Sequence, residues 1–392
     1  MKKTTKMLTV KYSIIQAMYW GIVCAINGGF TSVFMLSRGF SNTEVGITIA
    51  LGNILGVILQ PIFASIADSS KKITLHGLSM LLSILSLLGF AGLFICKSGI
   101  LVIATIFIFT LSLVQVLQPL MNSLGLYYIN KNEKINFGLA RGLGSTFFAI
   151  TSMFLGRFIE AYDVNILNIT GILLCVIFTS AVFILPTYEK DSEVSTRNID
   201  VEGKLTDFLK KYKGFGMILI AVVIIFTYHG MCNIYLFQMI DRIGGNSENL
   251  GTALSIQAIV ELPIMAGFAF LSKKISSNKL LAFSGIMFAA KAVSYIFATN
   301  VIAIYFCQSI QLLSYGLFIP ASVFYVNELV DDSDNVKGQS FITSAMTLGN
   351  VFASLLGGVI IDNLGVYPMI LIQASLACVG AILLSLSVKK KG

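Results

Sequence analysis

Charge is scarce in this chain of 392 residues. Asp, Glu, Lys and Arg together make up 12%, about half the roughly 25% usual in globular domains. So few polar side chains do not cover the surface of a soluble protein of this size, which excludes a soluble enzyme and a disordered chain. Cysteine occurs six times, as Cys24, Cys96, Cys175, Cys232, Cys307 and Cys378. They are scattered in or beside apolar stretches without a CxxC pair, which excludes a disulfide scaffold and makes small apolar packing residues of them rather than metal or redox ligands. No GxxxxGK[ST] run occurs, which argues against an ATP-driven pump on this chain. Nucleophile elbows, metal-ligand clusters and catalytic carboxylate pairs are missing as well. The expectation is a protein that is not an enzyme and carries neither cofactor nor metal.

What the sequence does have is apolar length. Hydrophobic residues are 56% of the chain, and the mean hydropathy is +0.85. A membrane-spanning helix needs about 20 apolar residues. Apolar runs occupy 11–36, 45–67, 75–95, 100–129, 137–159 and 164–187, and then 215–240, 250–272, 280–298, 300–327, 339–361 and 366–388. They do not alternate as barrel strands would, so they predict helices, whose backbone groups are satisfied within each segment. The expected fold is all-α: twelve transmembrane helices in two six-helix halves, 1–188 and 215–392. A polar cytoplasmic loop, 189–214, separates the halves. Neither polar end reads as a cleaved signal peptide.

The formal net charge of +8 follows from topology. With both termini cytoplasmic, 21 of the 27 Lys and Arg residues fall on the inner side. Arg38, Lys97, Arg157 and Arg242 fall outside, and Arg141 and Lys291 fall within spans. Such an asymmetry supports this orientation and an even number of spans. It accounts for the positive charge without nucleic acid as a partner, and leads one to expect contact with anionic membrane lipids. The expected location is the plasma membrane, as a multi-pass monomer.

The halves also read as repeats. Arg38, Asn42 and Glu44 in RGFSNTEVG recur as Arg242, Asn246 and Glu248 in RIGGNSENLG, and Pro61-Ile-Phe-Ala is echoed by Pro263-Ile-Met-Ala. Parallel half-repeats are a transporter architecture, with a substrate cavity between the halves near mid-membrane.

Charge inside a span is costly and marks function by default. Glu261 sits midway along the eighth span, the one acid so placed, and is read as a proton-exchanging group in preference to a structural carboxyl bonded to another helix. Lys291, in the ninth span, either pairs with Glu261 or snorkels outward. Arg141, near the cytoplasmic start of the fifth span, either snorkels to the inner headgroups or faces a cavity. Asn27, Asn53, Gln115, Gln118, Asn122, Tyr228, His229, Asn233, Gln257, Gln308, Gln311, Tyr315 and Asn350 add neutral polar groups within spans. Helix–helix hydrogen bonding is the ordinary role of any one of them. Together they suit a wet cavity for a hydroxylated or polar solute. His229 is the one histidine inside a span, read either as a titrating group or as a tautomer fixed by a neighbour. His76, near a cytoplasmic end, is expected at the surface.

These residues resemble the major facilitator superfamily, in the branch of lactose permease and related oligosaccharide:proton symporters. LQPIFASIADSSKK (59–72) is similar to the gating-loop motif, with Asp68, Lys71 and Lys72, although Ala64 stands where a glycine is expected. INFGLARGLGS (135–145) resembles the fifth-helix motif, ELPIMAGFAFLSKKI (261–275) the eighth helix and GIMFAAKAVSYIFAT (285–299) the ninth. The resemblance implies that Arg141 binds solute hydroxyls, that Glu261 is the essential glutamate, that Lys291 takes the place of a cavity arginine and that Tyr228 matches the seventh-helix tyrosine. It also exposes departures. Asn122 replaces an acid, Phe148 a stacking tryptophan and Gln308 a lysine. Gln311 replaces a histidine, Ser314 a proton-carrying glutamate, and His229 with Cys232 or Asn233 the seventh-helix aspartates.

The implied function is alternating-access transport of a small polar organic solute, with a sugar or glycoside as first expectation, by proton-coupled symport. Arg141, Asn122, Phe148, Tyr228, Glu261 and Gln311 would bind the solute. Glu261, His229 and Lys291 would carry the coupling. The missing tenth-helix acid leaves open a uniporter or a sodium-coupled carrier, of a nucleoside or an aromatic acid. A drug exporter and a non-transporting membrane sensor are further alternatives.

Overall fold

The computed structural model describes residues 3–69, 73–130, 135–186, 205–331 and 334–388. They are mostly helical, and no strand occurs among them. Twelve helical segments are long and apolar enough to cross a membrane. Their bounds follow the apolar runs to within a few residues at most ends. Large apolar side chains such as Phe183 and Ile302 stay mostly exposed along them, as lipid-facing positions require.

The chain divides into two compact units, Met1–Arg197 and Asn198–Gly392. In the first, α1 (Lys3–Ile26) and α2 (Gly29–Ser37) are followed by α3 (Asn42–Ser69), α4 (Leu75–Ile95), α5 (Ile100–Asn130), α6 (Phe137–Ala161) and α7 (Ile166–Phe183). In the second, a short α8 (Leu205–Lys211) precedes α9 (Phe215–Ile234), α10 (Leu236–Asp241), α11 (Ser247–Leu271) and α12 (Ser277–Ser294). Then come α13 (Val301–Ser309), α14 (Tyr315–Leu329), α15 (Asn335–Leu364) and α16 (Val366–Ser387).

The repeat is a packing scheme. In the first unit α1 packs on α6 and α7, α3 on α5, and α4 on α5 and α7. In the second unit the equivalent helices pair in the same way: α9 on α15 and α16, α11 on α13 and α14, and α12 on α14 and α16. Two glycines serve the same contact in both. A Cβ on Gly144 would lie 2.5 Å from Cδ1 of Trp20, and one on Gly349 would lie 2.6 Å from the carbonyl oxygen of Val223. Only glycine lets α6 approach α1, and α15 approach α9, so closely.

The repeated loop motif is a helix cap. Ser41 and Glu44 form a reciprocal box at the start of α3: the Ser41 N–H donates to Glu44 Oε2 at 2.8 Å, and the Glu44 N–H to Ser41 Oγ at 3.2 Å. Asn246 and Asn249 do the same for α11. Ser41, not Asn42, is therefore the structural counterpart of Asn246, and the second turn is one residue longer than the aligned sequence suggests.

Three spans are interrupted. Gly28, at φ 75°, separates α1 from α2, and Tyr235 separates α9 from α10. The tenth span leaves α13 through a 3₁₀ turn at Ile310–Leu312 and resumes as α14 only at Tyr315. Discontinuous helices are where transporters place polar and ionic groups at membrane depth.

The helix α8 falls inside the stretch expected as a polar loop. Phe208 anchors it, with ring centroids 4.7 Å from Tyr212 and 5.0 Å from both Phe215 and Phe341. Lys211 Nζ reaches Asp334 Oδ2 at 2.6 Å and Asp331 Oδ2 at 2.9 Å. The Tyr212 hydroxyl donates to the same two carboxylates. The ammonium holds both carboxyls below their usual range, and they in turn raise Lys211.

His76 corrects the surface expectation. It is only 4% exposed, in the first turn of α4, where Nε2 meets the Tyr128 hydroxyl at 2.6 Å. The aromatic pair Tyr127 and Tyr128 at the end of α5 covers it.

Candidate functional site

In the first unit, α6 begins with an Asn136 cap whose side chain accepts from the Leu139 N–H at 2.9 Å. One turn in, Arg141 lays its guanidinium over the Trp20 ring, 4.4 Å from the centroid. Phe148, two turns further along the same face, meets Trp20 nearly edge-on at 6.5 Å, and Tyr19 meets it at 5.6 Å. Gly144 lies between Arg141 and Phe148 and makes room for the indole. Arg141 thus packs inward on α1. A guanidinium stacked on a ring keeps its in-plane N–H groups for other partners. Trp20 is the residue sequence reasoning missed: it is the only tryptophan of the chain, and Phe148 drew attention instead. Asn122 sits half-buried on α5, with a buried Oδ1 that accepts no hydrogen bond, so it is not paired with Arg141. Asp68 falls in the last turn of α3; Lys71 and Lys72 lie outside the described residues.

In the second unit the buried charges are joined by amides. Lys291, 0% exposed, donates from Nζ to Gln308 Oε1 at 2.9 Å and to Gln311 Oε1 at 2.6 Å. Gln311 Nε2 donates in turn to Glu261 Oε1 at 2.9 Å. Lys291 therefore does not snorkel, and Gln311 relays between it and Glu261. The interrupted tenth span makes this possible. Gln308 lies in the last turn of α13 while Gln311 stands in the 3₁₀ turn, so both amides reach α12. Gly316, at the start of α14, lets this turn press against α11: a Cβ there would lie 3.4 Å from the Glu261 Cα.

His229 lies beside this relay in an aromatic box. Tyr315 stacks on it at 4.9 Å and 12°, and Phe226 and Phe288 close its edges at 5.6 Å. Its Nε2 lies 3.0 Å from the Asn233 side-chain amide. Tyr228 is fully buried against Phe288, and its hydroxyl makes no hydrogen bond among the described residues. The structure thus brings Glu261, Gln311 and Lys291 together, with His229 beside Tyr315, and it brings Arg141 and Phe148 together through Trp20.

Residues 9–371 match the family model described as the MFS_1 like family. An uncharacterized transporter, YwbF, of Bacillus subtilis (strain 168) is 24% identical over 344 residues, covering 87% of this chain and 83% of that one. A maltose permease of Geobacillus stearothermophilus is 23% identical over 353 residues, covering 90% and 87%. Among solved structures, the nucleoside transporter NupG superposes with a TM-score of 0.82 at 12% identity, over 97% of this chain and all of that one. The POT family transporter PepTSo superposes at 0.71 with 10% identity, over 99% and 98%. At such identities the superpositions establish the fold alone.

Proposed function

This chain belongs to the MFS_1 like family of the major facilitator superfamily and is a multi-pass membrane transporter; from that premise we propose that it carries a small polar organic solute, a sugar or glycoside first, in symport with protons across the plasma membrane. The observation that carries the reading is the hydrogen-bonded chain Glu261–Gln311–Lys291 at the interruption of the tenth span. An ionised Glu261 is balanced through Gln311 by the Lys291 ammonium. A proton on Glu261 cancels that balance and leaves the lysine to be satisfied by amide oxygens alone. Two protonation states thus favour two arrangements of the relay, which is what coupling a proton to alternating access requires.

His229 fits a supporting role: enclosed by rings and tied to Asn233, it orients Tyr315 at the start of α14. Each unit brings its own residues to the solute during transport. In the first, Arg141 donates to solute oxygens while Phe148 and Asn122 flank it. In the second, Glu261, Gln311 and Tyr228 do the corresponding work. The maltose permease relative supports a sugar as the first substrate to try. Cytoplasmic termini and a monomeric state complete the reading.

Counterflow in proteoliposomes tests it. Vesicles loaded with unlabelled maltose should draw in labelled maltose transiently, and a thermal-shift screen of the purified protein should show sugars raising its melting temperature. Counterflow and stabilisation by nucleosides but by no sugar would overturn the substrate class. A protein stabilised by ligands that shows no counterflow with any of them would be a sensor, not a carrier.

A further inference from the structure

Lys291 raises a question that the coupling role of Glu261 does not answer. Its ammonium is fully enclosed, and two amide oxygens hold it, at 2.9 and 2.6 Å. A lysine ammonium only donates, so both glutamines must turn their oxygens toward it. Gln311 then necessarily turns its nitrogen toward Glu261, where Nε2 lies 2.9 Å from Oε1. The titratable side chains close to Lys291 among the described residues include Glu261 from α11, Cys232 and His229 from α9 and Cys307 from α13. Glu261 is the one carboxylate among them.

Converging carbonyl oxygens beside a carboxylate are the donors that replace the water shell of a small monovalent metal cation. Here that position is filled by the chain itself. We infer that Lys291 is a tethered cation that sets the coupling-ion specificity of the carrier: its ammonium occupies the point where sodium would bind beside Glu261, so sodium is excluded and a proton remains the ion that acts there. A second cation at that point meets a like charge at close range in a low-dielectric surround. A proton adds to a carboxylate oxygen and needs no site between the amides. Gln308 belongs to this device as much as Gln311 does, because its oxygen is the second ligand of the ammonium. This inference rests on the reading of Glu261 as the coupling group.

The test removes the ammonium and keeps the amides. In wild type, exchanging sodium for choline at constant ionic strength should change neither the melting temperature of the purified protein nor its uptake under a fixed pH gradient. In Lys291→Gln, sodium should raise the melting temperature in a saturable way, and an inward sodium gradient should raise uptake several-fold. Lys291→Asn should behave alike, should the first variant fold poorly. Lys291→Arg, which keeps a cation, should stay indifferent to sodium. Sodium-stimulated uptake or melting in wild type would overturn the inference. So would a folded Lys291→Gln or Lys291→Asn protein that ignores sodium in both readouts. Counterflow needs no ion gradient, so its absence in wild type would count against the transport reading alone, while the melting experiment would still decide the role of Lys291.

Discussion

Replacing Gln311 with leucine cuts the link between Lys291 and Glu261 at nearly constant volume. Two hydrogen bonds to charged groups disappear, one of 2.6 Å from Lys291 and one of 2.9 Å to Glu261. Each contributes about 1.5–3 kcal/mol in water-soluble proteins, while interhelical bonds in membrane proteins average only about 0.6 kcal/mol. Taking the lower part of the charged range for each bond, Gln311→Leu should cost about 3–4 kcal/mol. Gln308→Leu removes one bond, of 2.9 Å, and should cost about half as much. A thiol-reactive dye suits the assay, because Cys24, Cys175, Cys232 and Cys307 are buried and free and react on unfolding. The expected order of melting temperatures is wild type, Gln308→Leu, Gln311→Leu. Combining Gln311→Leu with Glu261→Gln should cost less than the sum of the two, because they share a bond. The reasoning is refuted if Gln308→Leu is the more damaging change, or if Gln311→Leu melts with wild type.

The single tryptophan makes the first unit equally accessible to measurement. Arg141→Gln, which removes the guanidinium 4.4 Å from the Trp20 centroid, should shift the intrinsic emission and cost about 0.5–2 kcal/mol; an unchanged spectrum would contradict the contact. The docking of α8 should be flat with pH across the neutral range. Asp331 and Asp334 are held below their usual 3.8, so their contribution is present above that value and is lost only as pH falls through the depressed native ones. Lys211 is raised, so its contribution is present below its usual 10.5 and lost only above the raised native value. Hydrogen exchange in α8, corrected for intrinsic rates, should therefore be constant from about pH 5 to 9 and faster in Asp334→Asn. A protection step near neutrality would show that another group holds the helix.

The spans were legible because lipid demands long apolar runs, and the halves because loop caps recur with few alternative residues. The interruption at 310–314 was not legible, since no glycine or proline marks it; Pro320 lies further on, inside α14. Without that break, sequence reasoning placed Gln308 and Gln311 on one continuous helix and left Lys291 between pairing and snorkelling. Arg141 stood equally undecided, because its partner Trp20 is far away in sequence; the solitary tryptophan was the available signal. The helix α8 was hidden by its charged neighbours, although Phe208 and Tyr212 in so polar a stretch pointed to a docked face. His76 was misplaced because position along a span says little about which way a first-turn side chain points.

Proton-driven accumulation by Glu261→Gln tests the central claim most directly. Glutamine keeps an oxygen to accept from Gln311 Nε2 but cannot carry the proton. In proteoliposomes with an imposed inward proton gradient, wild type should accumulate labelled solute above the external concentration. The variant should retain counterflow yet never exceed equilibrium. Uphill accumulation by Glu261→Gln that still follows the pH gradient would contradict the account, because the proton would then be carried elsewhere.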